Sequence, residues 1–478
     1  MRAIDKYSPD TVYRLNPLYT MIKRNKRILL LELDPWLKSI FRYFHINPFL
    51  AVLLSLFDGT RTFSDVKQDY RWLIETDINL IEIFFEDLLK LKLAYPILLP
   101  LEAKSELALH DYQENDLLIP ADEVDLKSLE RYDFPTDIVM MFTNHCQVDC
   151  IYCYAERDKT IEHLASDRWC SLLDEIVAHK VPSITLAGGD PLLYPDIDIV
   201  IRHIVDNGMF PSISIKTELS KDKCKKLKDC GLERIQVSLD SGISSVADQV
   251  VASNGYFVRI MQTIQNLLEA NIDVVVKSVC TSVNIDTLAP LVEQLNIIGC
   301  TKHQLVSYSR TAFRHHDSLF PSNEQIEKTI ELIESWKNKY IGMEFRSNLK
   351  TYMPISNIDE KRTNWENRAE CSTARKGLAI LPNGSIAVCD RSPTSIAEFD
   401  LGSVSEQSIA SVWRSPKLLS YLFPKRDSFI GTVCHTCDNF ERCNEKLGRC
   451  VRDVYIAYSK YYAPDPKCPK SEYNLRMD

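Results

Sequence analysis

Between residues 138 and 339, short runs rich in Val, Ile and Leu alternate with longer segments of helical spacing, and this alternation restricts the fold more than any other feature. Strand-like runs lie at Ile138–Phe142, Ser183–Ala187, Ser212–Lys216, Arg234–Leu239, Val274–Val279 and Gln304–Tyr308. Helical segments fall at about 166–180, 196–207, 221–230, 257–270, 286–298 and 322–339. Six strand–helix units in succession call for parallel strands joined by crossover helices. The expected class is α/β, with a partial (β/α)6 barrel at its centre. In such folds the chemistry collects at the C-terminal ends of the strands, so reactive motifs should directly follow them.

They do. The first strand runs into Thr143-Asn144-His145-Cys146-Gln147-Val148-Asp149-Cys150-Ile151-Tyr152-Cys153, a Cys-x3-Cys-x2-Cys array. Three close thiolates suit a soft metal centre. A cubane iron–sulfur cluster normally takes four cysteines, so three leave one iron open to another ligand. Structural zinc would favour paired Cys-x2-Cys knuckles instead. The second strand is followed by Gly188-Gly189-Asp190-Pro191, by itself an ordinary turn signal. The third carries Ser214-Ile215-Lys216-Thr217, and the fourth Ser238-Leu239-Asp240, whose polar residues also suit strand-end capping.

The chain has fifteen cysteines among 478 residues. A secreted disulfide scaffold would be small, and the N-terminus shows no signal peptide. The longest apolar run, Pro48–Phe57, is well short of the roughly 20 residues that cross a bilayer. These features imply a soluble, cytoplasmic protein with no membrane partner. A net charge of −9 gives no footing for nucleic acid. Cys170, Cys224, Cys230, Cys280 and Cys300 are scattered and read as small buried hydrophobes. Seven others form an ordered C-terminal series: Cys371, Cys389, Cys434, Cys437, Cys443, Cys450 and Cys468, with a hairpin signal at Asn383-Gly384. A zinc ribbon would use four and leave three unexplained.

The Cys-x3-Cys-x2-Cys loop, with aromatic Tyr152 before its last cysteine, resembles the signature of the radical S-adenosylmethionine (SAM) superfamily. The resemblance implies that Cys146, Cys150 and Cys153 hold a 4Fe-4S cluster whose open iron binds the amino and carboxylate groups of SAM. One electron then breaks a carbon–sulfur bond, and the 5′-deoxyadenosyl radical takes hydrogen from substrate. Gly188, Gly189, Asp190 and Pro191 stand where the family has Gly-Gly-Glu-Pro, which touches the SAM amino group. Ser214 and Lys216 stand in its Ser-x-Thr-Asn-Gly segment, but the Asn and Gly are missing, which unsettles the ribose contacts. Ser238 and Asp240 match the family's fourth strand and are further SAM-pocket candidates.

The seven C-terminal cysteines resemble the SPASM domain of peptide-modifying relatives. This implies two auxiliary clusters, three 4Fe-4S clusters in all. Cys434, Cys437, Cys443 and Cys468 would fill one, and Cys371, Cys389 and Cys450 the other. Some relatives have an extra cysteine soon after the first; this chain has Ala374-Arg375-Lys376-Gly377 there. That cluster would keep an iron open to a substrate thiolate. Asp390 follows Cys389, where sulfatase-maturing relatives place a catalytic Asp; it is a candidate general base, or simply a hairpin residue.

In residues 1–100 a strand at Arg27–Leu33, helices at Asn47–Leu56, Thr62–Tyr70 and about 80–89, and the segment Lys92–Leu98 suggest a winged-helix-like unit. Its 14 basic and 12 acidic residues make it nearly neutral, which speaks against DNA. Leu15-Asn16-Pro17, the strand through Leu31, the stretch Asn47 to Thr62 and the helix ending Leu88-Leu89-Lys90-Leu91 resemble the PqqD-like domain that binds leader peptides as an added strand. The edge at Ile28–Leu33 is the expected docking site. Expected domains are 1–100 for peptide recognition, an acidic linker at 101–135, a radical SAM core at 136–345 and a SPASM domain at 346–478.

Together these imply a maturase that oxidatively crosslinks a ribosomally made precursor peptide with a leader. Its electrons would come from a donor such as flavodoxin or ferredoxin. The favoured bond is a Cys thioether, as in sactipeptide and ranthipeptide synthases. Carbon–carbon crosslinking, epimerisation and formylglycine formation are the enzymatic alternatives. A winged-helix iron–sulfur redox regulator is the non-enzymatic one.

Overall fold

The computed structural model describes residues 3–74, 79–102, 112, 117–119, 131–155, 160–351, 358–387, 389–391 and 401–473. The chain divides into two compact units, Met1–Asp133 and Phe134–Asp478.

In the first unit, β1 (Val12–Leu15) is flanked by β5 (Asp58–Thr62) and β6 (Leu98–Leu101) in an antiparallel sheet. A second sheet is the meander β2 (Tyr19–Arg24), β3 (Arg27–Leu33), β4 (Ile40–Ile46). The three expected helices are present at Pro48–Ser55, Phe63–Ile74 and Asn79–Lys90. Asn47 caps the first, its side chain accepting from the Phe49 N–H, with Pro48 at the position that tolerates it. The expectation of a docking edge at Ile28–Leu33 fails. β3 is the middle strand, paired with β2 on one side and β4 on the other, and all seven of its residues are buried. A strand with both edges paired has no N–H or C=O left to offer a peptide. Most of the acidic stretch 101–135 lies outside the described residues. Of those described, Leu117 and Ile119 are buried in the core of this unit.

The second unit is built on one nine-stranded sheet, ordered β13-β12-β11-β10-β9-β8-β7-β14-β15. The strands are β7 (Asp137–Thr143), β8 (Ser183–Gly188), β9 (Phe210–Ile215), β10 (Arg234–Ser238), β11 (Asp273–Cys280), β12 (Lys302–Ser307), β13 (Glu344–Ser347), β14 (Gly377–Ile380) and β15 (Ile386–Ala387). β7 to β12 are the six expected strands, parallel and in chain order. β13 adds a seventh beside β12. β13 and β15 form the two ends of the strand order and do not pair, so the barrel is partial.

The C-terminal cysteine-rich part is continuous with this sheet. β14 joins the outer edge of β7 in parallel, matching Gly377 to Asp137 and Ile380 to Met140. The Asn383-Gly384 turn then leads into antiparallel β15, with Gly384 at φ +84° as a tight hairpin turn requires. Glu175, on the helix Ser166–Ala178, accepts from the first N–H groups of the helix Ile409–Trp413, Ile409 at 2.8 Å and Ala410 at 2.7 Å. An anion there meets the unpaired donors and the positive end of the helix dipole. Trp413, Leu418 and Val451 share one apolar core with the helices around the barrel.

Candidate active site

Strand alternation separates two faces. Ile138, Met140 and Phe142 of β7, Ile213 and Ile215 of β9, Ile235 and Val237 of β10, and Val274 and Val276 of β11 all lie in the core beneath the helices. The opposite, inner face carries Ser212, Ser214, Gln236, Ser238 and Lys277 on the same strands, with Lys216 and Asp240 directly after β9 and β10. A filled barrel would place Val, Ile and Leu there. Val139, Met141 and Val275 share that face, but its polar residues on β9, β10 and β11 suit a polar ligand.

The cysteine loop leaves the end of β7 and is fastened from several sides. Asp149 and Ile151 donate backbone bonds to Val251 and Val250, at the end of the helix Ser244–Val251. Arg314 donates to the carbonyls of Asp149 (3.2 Å) and Cys150 (3.3 Å) and pairs with the Asp149 carboxylate at 2.8 Å. None of Cys146, Cys150 and Cys153 is in a disulfide. Burial raises the Cys150 thiol to about 12, with Lys216 acting in the opposite direction. Such a thiol becomes a thiolate only when a metal supplies the countercharge.

Gly188 and Gly189 are set by packing against this loop. A Cβ on Gly189 would collide with the His145 carbonyl oxygen, and one on Gly188 with that of Thr143. The close approach allows Gly189 N–H to donate to Thr143 at 2.6 Å and Asp190 N–H to His145 at 2.7 Å. Asp190 is 1% exposed, and its carboxylate accepts from the backbone N–H groups of Lys216 (2.7 Å) and Leu192 (3.1 Å). Burial raises its carboxyl above the usual range, against those hydrogen bonds. Pro191 opens the short 3-10 turn that Asp190 caps.

Tyr152, Lys216 and Asp240 meet beside the cysteines. Lys216 Nζ donates to Asp240 Oδ2 and to Tyr152 Oη, both at 3.0 Å, and Tyr152 Oη donates to the same carboxylate oxygen at 2.5 Å. Burial disfavours the Lys216 cation, but Asp240 outweighs it and holds the ammonium well above its usual range. Ser214 accepts from Gln236 at 2.5 Å, and the Ser238 carbonyl accepts from Tyr256 Oη at 2.5 Å. Tyr256, Arg314 and Lys277 belong to the site but were not foreseen. A lone Tyr, Arg or Lys in a helix, loop or strand carries no local spacing signal.

The C-terminal cysteines border two cavities. One, of about 340 Å³ and open to solvent, is lined by Cys434, Cys437, Cys443 and Cys468 together with Phe440 and Arg449. The other, of about 330 Å³, is lined by Cys371 with Arg375, Tyr421, Arg449 and Tyr461. Cys371 N–H donates to Leu447, and a Cβ on Gly448 would lie 2.9 Å from Cys371 Cβ, which brings Cys371 against the segment entering Cys450. Cys389 feels the charge of Cys371, and burial raises its thiol to about 12. Cys389 Sγ donates to Asp390 Oδ1 at 3.3 Å, so Asp390 faces the cysteine beside it. Among the described residues no three His, Cys, Asp or Glu converge as they would around a single ion. A cubane asks for a different arrangement, because each thiolate meets its own iron.

Residues 140–295 match the radical SAM superfamily, and residues 371–438 match the iron–sulfur cluster-binding domain called SPASM. The chain has a radical SAM fold with a SPASM domain. The PqqA peptide cyclase of Rhodopseudomonas palustris is 23% identical over 355 residues, covering 73% of this chain and 90% of that one. The sporulation killing factor maturation protein SkfB of Bacillus subtilis is 30% identical over 171 residues, 35% of this chain and 41% of that one. Crystal structures of Streptococcus suis SuiB superpose with TM-scores of 0.62 for the free protein and 0.59 for its complex with precursor peptide SuiA. They are 15% and 16% identical, covering 95% and 97% of this chain and 99% of each SuiB chain. The SPASM match ends at residue 438, so Cys443, Cys450 and Cys468 lie beyond it. Among the described residues no helix is long and apolar enough to cross a membrane.

The donor set fits this assignment. Three thiols outside any disulfide sit on one anchored loop at a strand end, and four more surround a single cavity. Thiolates are the ordinary ligands of iron–sulfur clusters.

Proposed function

We propose that this protein is a radical SAM enzyme that closes an oxidative crosslink in a ribosomally made precursor peptide. The observation that carries the reading is the three-thiol loop, clamped by Arg314 and the helix Ser244–Val251, at the mouth of a barrel with a polar inner face. When bound, a 4Fe-4S cluster on Cys146, Cys150 and Cys153, with SAM on its open iron, supplies the radical that takes hydrogen from substrate. The chain's own work is positional. The Tyr152–Asp240–Lys216 group fixes the wall beside the cysteines, and the tight packing of Gly188 and Gly189 fixes the loop entrance. Asp190 positions the chain after β9 through the Lys216 N–H. Ser214 and Ser238 stand on the same inner face and are the further candidates for contact with SAM.

Clusters held by the C-terminal thiols would take up the electron left on the substrate, since cluster potentials are widely tunable. Cys434, Cys437, Cys443 and Cys468, which share one cavity, would hold one cluster, and Cys371, Cys389 and Cys450 the other. No cysteine remains for a fourth ligand at the second, since Cys170, Cys224, Cys230, Cys280 and Cys300 are placed on the barrel. A substrate thiolate suits that vacancy, which favours a thioether bond. Asp390, bonded to Cys389, is the candidate base for the proton released there. Carbon–carbon closure is the rival, favoured by the likeness to a peptide cyclase. A flavodoxin- or ferredoxin-type donor supplies the reducing electron.

The first unit binds the leader. Of the two outer strands of its meander, β2 has Met21 N–H donating to Tyr112 Oη and Lys23 Nζ donating to the Leu118 carbonyl. β4 (Ile40–Ile46), whose residues are mostly half-buried, is the strand we assign to peptide addition.

The test is the exact mass of a short cysteine-containing peptide encoded beside this gene after anaerobic co-expression, with and without thiol alkylation. Loss of two hydrogens per link with cysteines blocked to alkylation is the expected result. The same loss with cysteines still free selects carbon–carbon closure. An unchanged mass points to epimerisation or to a peptide that is not the substrate.

A further inference from the structure

Register places five inner-face residues in one row across the barrel wall. Gln236 pairs with Ser214, which sets Ser238 level with Lys216. Ser238 pairs with Lys277, Lys277 with Gln304, and Gln304 with Arg346. The row Lys216, Ser238, Lys277, Gln304, Arg346 holds three cations, two neutral hydrogen-bonding side chains and no carboxylate. Asp240, two residues past Ser238, is already engaged by Lys216, Tyr152 and the Val279 N–H at 2.8 Å.

Lys277 is the residue this arrangement leaves over. Among the described residues its ammonium has neither a hydrogen-bond nor an ion-pair partner, whereas Lys216 in the same row has both. Burial is the main influence on it, followed by Arg391, Asp240 and Lys216: two like charges and one committed anion. Together they lower its pKa from the usual lysine value. A partly buried ammonium with no counterion is costly, and an incoming anion relieves that cost.

We infer that Lys277 is the cation of a carboxylate-binding subsite on the inner wall of the barrel, flanked by Ser238 and Gln304 as hydrogen-bonding neighbours. This rests on the radical SAM reading above, and within that reading two carboxylates can reach the wall: that of SAM, and an acidic side chain of the peptide. Both are planar, singly charged acceptors that suit an ammonium beside a hydroxyl and an amide.

The experiment uses the full-length, cluster-reconstituted protein. Equilibrium dialysis compares SAM with decarboxylated SAM for wild type, Lys277→Met and Lys277→Arg. In parallel, trinitrobenzenesulfonate labelling of Lys277 in the wild type is followed by peptide mapping. It is run with each SAM form, and with acetyl-Ala-Glu-Ala-amide or its Gln counterpart. If the SAM carboxylate is the occupant, Lys277→Met weakens SAM by roughly tenfold or more, the loss of about one charge-assisted hydrogen bond. Decarboxylated SAM is then unaffected, and Lys277→Arg keeps most of the affinity. If a peptide carboxylate is the occupant, SAM affinity is unchanged, and the Glu probe slows labelling where the Gln probe does not. Wild-type SAM affinity in Lys277→Met, with labelling indifferent to either carboxylate, overturns the inference. A wild type that binds no SAM refutes the radical SAM reading, and the labelling arm still decides the subsite.

Discussion

Lys216 occupies a position whose sequence surroundings gave no sign of its partners. Its ammonium is largely buried, 3.0 Å from an Asp240 carboxylate that is itself 1% exposed. Removing one member of such a pair leaves the other as an uncompensated buried charge. Lys216→Met should therefore destabilise the apoprotein by about 3 kcal/mol in denaturant unfolding. Lys216→Met combined with Asp240→Leu should recover part of that loss. The recovery is incomplete because Val279 N–H and Tyr152 Oη also bond to Asp240. Additive single effects would show that the pair is not coupled. Tyr152 was legible as the aromatic residue of a spaced motif. Its bond to Asp240 was not, because the partners stand 88 residues apart and meet only when the strands align.

At the scale of elements, the glycines after β8 and the histidine on β12 each carry a prediction. Gly189→Ala must push its Cβ into the His145 carbonyl, and backbone cannot yield as a flexible side chain can. It should displace the cysteine loop and abolish iron loading at that loop, read as a drop in iron per chain. Normal iron content would show that the loop tolerates the shift. His303, fully buried on β12, accepts or donates to Ser278 of β11 at 2.9 Å, and burial lowers its pKa to about 3. The unfolded chain binds this proton near pH 6.5 and the folded protein does not. Stability should thus be unaffected above that pH and fall by about 1.4 kcal/mol per pH unit as the pH drops from about 6.5 towards 3. His303→Gln should remove this component of the slope; an unchanged slope would assign it to other groups. β7 to β12 were legible because each is an apolar run followed by a helical period. β14 and β15 were not, being four and two residues long, too short for any periodicity to register. β2 and β4 escaped for another reason: Lys23, Arg24, Arg42 and His45 interrupt the apolar pattern.

At the scale of the molecule, the sheet ties the cysteine-rich part to the barrel. β14 covers the edge of β7 over Asp137–Met140. A chain ending at residue 345 exposes that edge, and β7, then an edge strand paired only with β8, invites pairing with another copy. Such a truncation should self-associate in size-exclusion chromatography, whereas a fragment of residues 134–478 should keep the association state of the full chain and elute at its own smaller size. A monodisperse truncation would show that β14 is dispensable. The cysteine series was readable from spacing alone, but not its attachment to β7, which depends on parallel pairing between segments more than 230 residues apart.

The central claim is that the loop of Cys146, Cys150 and Cys153 supports reductive cleavage of SAM. The most direct measurement is 5′-deoxyadenosine formed by anaerobically reconstituted protein with SAM and dithionite, beside a Cys150→Ala variant that keeps its C-terminal cysteines. The account predicts 5′-deoxyadenosine from the wild type and none above background from the variant, with iron reduced by about four per chain. No 5′-deoxyadenosine from an iron-loaded wild type, or equal amounts from both proteins, would contradict it.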